Sequence, residues 1–283
     1  MISIESSEPD LADLLRPFLL KHDFADHPLM SVDAMAELVD ELPEGSIELT
    51  RANSGAVASR DYQPPVFEGL ARDALKEVDG QSRSVFIYNV ERIDRYRDLL
   101  AEALDPMLDE LAVDPRDVIS REGYIFRAGG GGSATTSAHV DFECNFLLVT
   151  EGKKRVYIAD VPDEQGELAL EAMHSGLYGT CGEIPSHMTS FDLAPGEGVF
   201  LPPRAAHYVE NGPDPCTALS VVFFHRNSQR QVPVYAINRR LRRVGLNPRP
   251  PGESRLRDAA KRLSHQAAST PTRMIRSVRD RRS

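Results

Sequence analysis

Cysteine is scarce in this chain. Cys144, Cys181 and Cys216 are an odd set without a CxxC spacing, which argues against a disulfide framework and a thiolate zinc site. Long apolar runs are missing too: none approaches the roughly 20 residues that span a bilayer. The opening MISIESSEPDLADLL has acidic residues where a secretory signal carries a basic region and an apolar core. Internal repeats are absent. What is present is ordinary: 41% hydrophobic and 27% charged residues, a composition that excludes a disordered chain, a collagen-like repeat and a coiled coil. A cytoplasmic globular protein of 283 residues, one large domain or two ordinary ones, is expected.

The net charge of −10 hides an asymmetry. From Asn238 onward there are 14 Lys and Arg against 3 Asp and Glu, leaving 19 basic against 40 acidic residues before it. A body of charge −21 repels a phosphate backbone. The tail, at +11, is the one segment suited to a polyanion, either nucleic acid or an anionic membrane. Its competing reading is a pair of dimerisation helices whose arginines face water.

The first 118 residues read as mostly helical. Ser31 caps VDAMAELVDEL and Pro43 stops it. Tyr62-Gln63-Pro64-Pro65 is a loop and Phe67 to Val78 another helix. Ser84 to Val90 is a strand. Asp94 then caps RYRDLLAEALDPMLDEL, which Pro106 is expected to kink or split. From Ile119 the texture changes to short β-type runs: Tyr124–Arg127, Asn145–Thr150, Arg155–Ile158, Ser190–Leu193, Gly198–Leu201, Tyr208–Glu210 and Ala218–His225. Many short strands punctuated by Gly and Pro argue for a sandwich, barrel or jelly roll over 119–238. In the tail, 239–283, Leu256, Ala260, Leu263 and Ala267 share one helical face, and RMIRSVRDRRS forms a second basic piece.

Two of the eight histidines stand in a telling context. His139-Val140-Asp141 is an HxD pair, and in a strand residues i and i+2 point to the same face. Far downstream, His207 follows a glycine turn and a strand. Two His and one carboxylate make the facial triad of non-haem Fe(II) oxygenases. An HxD pair also arises by chance, and His207 alone fits a packed core, so the flanking residues decide. Gly196, Pro202, His207 and Asn211 (G-x5-P-x4-H-x3-N) resemble the second cupin motif, with Arg204 where an internal glycine is usual. His139, Asp141, Asn145 and Gly152 (H-x-D-x3-N-x6-G) resemble the first, with Asp141 in place of its second histidine.

The stretch TTSAHVDFECNFLLVTEGKKRVYIAD further resembles the Jumonji-C and cupin-like 2-oxoglutarate dioxygenases, in the branch of the factor-inhibiting asparaginyl hydroxylase. Members of that branch carry a Thr or Ser three residues before the first ligand, an Asn six after it and a Lys fifteen after it; Thr136, Asn145 and Lys154 stand at those places. The resemblance implies a double-stranded β-helix (cupin, jelly-roll) core flanked by a helical N-terminal region and a basic helical tail. It implies Fe(II) held by His139, Asp141 and His207, with 2-oxoglutarate as co-substrate. Lys154 would pair with the distal carboxylate, Thr136 would hydrogen-bond it, and Asn145 would contact the co-substrate near the metal.

The chain departs from the pattern on the last core strand, where some relatives place another polar contact and Ser220-Val221-Val222-Phe223 reads as apolar. A tyrosine contact from an upstream strand falls on Tyr124 or Tyr88. The activity implied is hydroxylation of a protein side chain or a small molecule. The rivals are a metal-binding cupin enzyme without 2-oxoglutarate, which needs no buried Lys154, and a non-catalytic cupin-like binding protein. Gly129–Gly132 lacks the GK[ST] of a P-loop and reads as a loop at the barrel mouth. Asp10, Asp13, Glu37 and Asp40 read as solvated faces; His22, His27, His174, His187, His225 and His265 carry no ligand spacing.

Overall fold

A computed structural model describes residues 2–4, 14–43, 45–51, 70–78, 83–129, 136–161, 164–173 and 179–279, with side chains described except at 51 and beyond 267. The loop expected at Tyr62–Pro65, the first residues of the Phe67–Val78 helix, Gly130–Gly132, His174, Asp10 and Asp13 lie outside the described residues.

In chain order the elements are β1 (Ile2–Ile4), β2 (Leu19–His22), α1 (Val32–Glu41), β3 (Ile47–Arg51), α2 (Ala71–Lys76), β4 (Arg83–Ile87), α3 (Asp94–Glu110), β5 (Val118–Ala128), β6 (Cys144–Glu151), β7 (Lys154–Ala159), α4 (Glu164–Met173), β8 (Met188–Leu193), β9 (Glu197–Leu201), β10 (His207–Asn211), β11 (Cys216–His225), α5 (Arg226–Arg243) and α6 (Arg255–Arg279). The N-terminal region contributes four strands besides its three α-helices.

Local chemistry sets the helix ends. Ser31 Oγ accepts from the Ala34 amide at 3.3 Å, satisfying one orphan donor of α1, and Met35, Ala36, Leu38 and Val39 form its buried stripe. In α3, Ile93 is the cap and Asp94 the first helical residue. Pro106 does not split α3. The helix runs one turn beyond it, despite the missing N–H and the crowding of its ring against the preceding turn.

Two antiparallel sheets face each other. One runs β1-β2-β9-β6-β11-β5-β4-β3, the other β10-β7-β8. Side chains alternate along β11: Leu219, Val221 and Phe223 join the cluster under α1 and α3, whereas Ala218 joins Leu147, Val149, Val156, Ile158 and Val199 between the sheets. Gly123 lets α3 approach β5, since a Cβ there would lie 2.6 Å from Leu100 and Val90 side-chain atoms. The turn from β6 into β7 crosses between sheets at Gly152, which has φ +70° and no room for a Cβ beside the Pro215 carbonyl. Every β-run read from 119 to 238 is a strand, extended by one to seven residues.

Candidate metal centre

His139 and His207 are directly opposed. The His139 amide donates to the His207 carbonyl at 3.0 Å and the His207 amide to the His139 carbonyl at 2.8 Å, the hydrogen-bonded pair of an antiparallel ladder. Their rings lie 4.3 Å apart. Alternation sends Val140 into an apolar cluster with Ala138, Phe142 and Tyr235 and returns Asp141 to the histidines. Its Oδ2 lies 3.6 Å from His139 Nε2 and 3.5 Å from His207 Nε2. Among the described residues these three form the one group of potential metal ligands, with donor atoms all within 4.8 Å of one another.

The rings are oriented for this use. His139 Nδ1 is 2.7 Å from the Ser137 carbonyl, and His207 Nδ1 is 2.9 Å from that of Ala205. An Nδ1–H donated to each carbonyl leaves both Nε2 lone pairs facing Asp141, the arrangement that fixes a metal-binding tautomer. Burial, with the neighbouring His139, holds the His207 imidazole down to about 4. It is therefore neutral near pH 7 and makes no ordinary ion pair with Asp141.

The remaining sequence-derived residues line the same interior. Lys154 opens β7, is 6% exposed, and its Nζ donates to Asn211 Oδ1 at 2.5 Å. Burial brings its ammonium down to about 8. The register pairs His207 with Ile158 and Asn211 with Lys154, so Lys154 stands at the opposite end of β10 from His207. Thr136 lies between those levels: its Oγ1 accepts from the Val209 amide at 2.9 Å, and its own O–H can still donate. Asn145 follows the ligand loop on β6 and pairs with Leu201 and Val222. Among the described residues its buried Oδ1 meets no donor, an uncommon state for an interior polar atom. A tripod of two imidazoles and a carboxylate, with a buried ammonium in the same interior, fits a divalent metal with an anionic, oxygen-rich co-ligand.

Of the two tyrosines, Tyr124 is nearer the centre. It sits on the inner face of β5 and donates to Glu122 Oε2 at 2.7 Å. Burial raises its phenol above the ordinary range, helped by the charges of Glu143, Glu122 and Asp141. Tyr88 packs edge-on against it at 5.4 Å and donates to Glu48 at 3.3 Å. Three of the histidines without ligand spacing have structural partners: His22 Nδ1 accepts from the Phe24 amide, His27 from that of Leu29, and His225 caps α5 by accepting from that of Asn227.

Sequence reasoning missed one contributor to the site and one buried hydroxyl near it. Arg204 adopts φ +73°, and its amide donates to the Asp141 carbonyl at 2.7 Å; the anomaly in the second cupin motif was the available signal. Ser220, read as part of an apolar run, turns its hydroxyl inward, and nothing in the sequence alone reports that.

The fold is a double-stranded β-helix with helical additions, bearing a His-Asp-His cluster on the smaller sheet and the loop beside it. No family profile matches the chain, and no curated protein sequence matches it. Among solved structures it is similar to YcfD of Escherichia coli, a ribosomal oxygenase, in complex with cobalt and 2-oxoglutarate, at 16% identity and a TM-score of 0.54 over 95% of this chain and 68% of that one. A further YcfD structure gives 19% identity and 0.54 over 94% and 68%, and the complex with cobalt and succinic acid gives 17% and 0.52 over 95% and 68%. Among the described residues no helix is long and apolar enough to cross a membrane.

Proposed function

We propose that this protein is an Fe(II)- and 2-oxoglutarate-dependent oxygenase that hydroxylates a protein side chain or a small molecule. The observation that carries the reading is the convergence of three ligand atoms within 4.8 Å on the inner face that also holds the buried Lys154. His139, Asp141 and His207 would hold the metal, leaving the remaining positions to co-substrate and dioxygen. Lys154 and Thr136 would hold the distal carboxylate and Asn145 the metal-proximal end. The chemistry that metal and co-substrate supply is oxidative decarboxylation of 2-oxoglutarate to succinate coupled to C–H hydroxylation; the protein orients the reactants and excludes water.

Support comes from the ligands named with the structurally similar YcfD, cobalt with 2-oxoglutarate and cobalt with succinic acid. The description of YcfD as a ribosomal oxygenase favours a macromolecular substrate over a small molecule. A metal-binding cupin enzyme that dispenses with 2-oxoglutarate gives no reason to hold an ammonium at 6% exposure in the interior. Three reduced, buried cysteines agree with a cytoplasmic setting.

The test is an anaerobic titration of apoprotein with Fe(II) and then 2-oxoglutarate, followed by the weak visible charge-transfer band of the chelate. Wild type is expected to show the band, Asp141→Ala to lose metal, and Lys154→Ala to lose the band at matched co-substrate concentration. Metal binding without a band supports the plain cupin enzyme, and no metal binding supports the non-catalytic reading.

A further inference from the structure

The segment that carries two of the metal ligands alternates. His139 and Asp141 turn to the centre, and Ala138, Val140 and Phe142 turn the other way, into a buried apolar cluster that Tyr235 of α5 joins. The first part of the segment is fixed by its backbone. His139 pairs with His207, the Val140 amide donates to the Gly179 carbonyl at 3.1 Å, and the Cys181 amide donates to the Ala138 carbonyl at 2.7 Å. Asp141 and Phe142 lie beyond that ladder and before β6. There the Arg204 amide holds the Asp141 carbonyl, and the buried side chain of Phe142 is the next anchor.

Phe142 rests on Tyr235. The two rings meet edge to face with centroids 5.6 Å apart. Tyr235 is fully buried, and its hydroxyl donates to Glu167 Oε1 on α4 at 2.9 Å. An interior carboxylate is costly to keep, and this one locks the ring that backs the ligand loop. The same stripe of α5 continues at i+3 and i+7. Asn238 accepts from Lys261 of α6 at 2.6 Å, and Arg242 donates to Glu171 of α4 at 2.7 Å. Tyr235 is therefore held both at its hydroxyl and through its helix.

We propose that Tyr235 is a positioning residue for the metal centre: through Phe142 it holds the ligand loop so that the Asp141 carboxylate faces the two imidazoles. The assignment rests on the metal-centre part of the oxygenase reading and adds a residue that lies outside both cupin-like motifs. A carboxylate on an irregular loop samples other poses unless the residues behind it fix the backbone. Groups that orient metal ligands in this way set affinity, and removing one costs about 10–100-fold. Tyr235 meets that description from the side opposite the Arg204 amide, so the loop is gripped at the Asp141 carbonyl and at the Phe142 ring.

Two buried tyrosines, compared by metal affinity, separate positioning from packing. Tyr96 of α3 is also fully buried, with its hydroxyl bonded to the Leu29 carbonyl at 2.8 Å, but it belongs to the cluster under α1 and α3. Tyr235→Leu and Tyr96→Leu should both lower the thermal midpoint. Only Tyr235→Leu should weaken calorimetric Mn(II) binding, by about tenfold, and alter the visible bands of the Co(II)-loaded protein. Tyr235→Phe keeps the ring and should keep wild-type Mn(II) affinity. Phe142→Leu should cost about as much as Tyr235→Leu, and the double variant no more than either alone, because both remove one contact. Should Tyr235→Leu not fold, Phe142→Leu decides. Wild-type Mn(II) affinity in folded Tyr235→Leu or in Phe142→Leu overturns the assignment and spares the metal centre. An equal loss in Tyr96→Leu overturns it too, as general loosening of the fold. Failure of wild type to bind Mn(II) overturns both the assignment and the metal centre.

Discussion

The amide of Arg204 donates to the carbonyl of Asp141 at 2.7 Å, so the turn between β9 and β10 clamps the loop that carries the acidic ligand. Arg204 does this at φ +73°, a region where a side chain is strained by about 1 kcal/mol or more. Its guanidinium reaches Gln231 on α5. The backbone bond therefore positions the ligand, and the side chain ties the turn to the C-terminal helices.

The two contributions separate by substitution. Arg204→Gly keeps the amide and relieves the strain while losing the α5 contact, so stability should stay within about 1 kcal/mol of wild type and Mn(II) affinity should be unchanged. Arg204→Val places a β-branched residue at positive φ. It should destabilise by about 2 kcal/mol more than Arg204→Gly and weaken Mn(II) binding as the strained turn draws its amide away from the Asp141 carbonyl. Chemical denaturation and metal titration of the pair check this; equal metal affinity in both variants would remove the clamp.

Lys154 gives a prediction in pH. Burial holds its ammonium down to about 8, with nearby Cys216 opposing the shift, against an ordinary 10.5. Between those values the folded chain is neutral at this site and the unfolded chain protonated, so stability of the ligand-free protein rises with pH across the window. Below about 8 both states are charged and the burial penalty is complete. A bound dicarboxylate favours the ammonium and raises its pKa, so at a pH of about 9 binding should take up a proton. Calorimetry of 2-oxoglutarate binding in buffers of different ionisation heat should show that uptake in wild type and not in Lys154→Arg, whose guanidinium stays charged.

Much of this was legible in the sequence. The strands between 119 and 238 announce themselves because β-branched and aromatic runs alternate with Gly and Pro turns. His139 and Asp141 share a face because strand side chains have a period of two. What stayed hidden depends on register between distant segments. Lys154 meets Asn211, 57 positions away, only because β7 pairs with β10. The orientation of Ser220 is invisible because β11 is covered on both faces, so its residues read as one apolar run with no alternation to betray the inside. The basic tail read as two helical pieces, but its backbone is one helix, Arg255–Arg279.

A buried guanidinium fixes the far face of the same sheet. Arg127 is 5% exposed; its Nε donates to the Leu75 carbonyl at 3.1 Å, and one terminal nitrogen bonds Thr217 Oγ1 at 2.7 Å and the half-exposed Glu151. It links α2 to β5, β6 and β11. Arg127→Met should destabilise by about 2–3 kcal/mol, since partly buried acceptors lose their donor. Metal affinity should be unaffected, because Arg127 projects from β5 on the side opposite Tyr124. A denaturation midpoint equal to wild type would show the network to be incidental.

The tail carries the last prediction. The stripe of Leu256, Ala260, Leu263 and Ala267 is not what α6 packs against α5. Asp258 is buried and accepts from the Gly252 amide at 2.8 Å, and Lys261 donates to Asn238 at 2.6 Å; Leu256 is 86% exposed and Leu263 66%. A helix that turns its polar side to its own chain and leucines outward needs a cover. We expect that cover to be a second copy of this chain, since a tail of +11 complements a body of −21. Wild type should sediment as a dimer, and Leu256→Asp with Leu263→Asp as a monomer with undiminished Mn(II) affinity. A monomeric wild type whose tail binds nucleic acid or anionic vesicles, with steep loss in salt, would give the arginines that role and leave the copies apart.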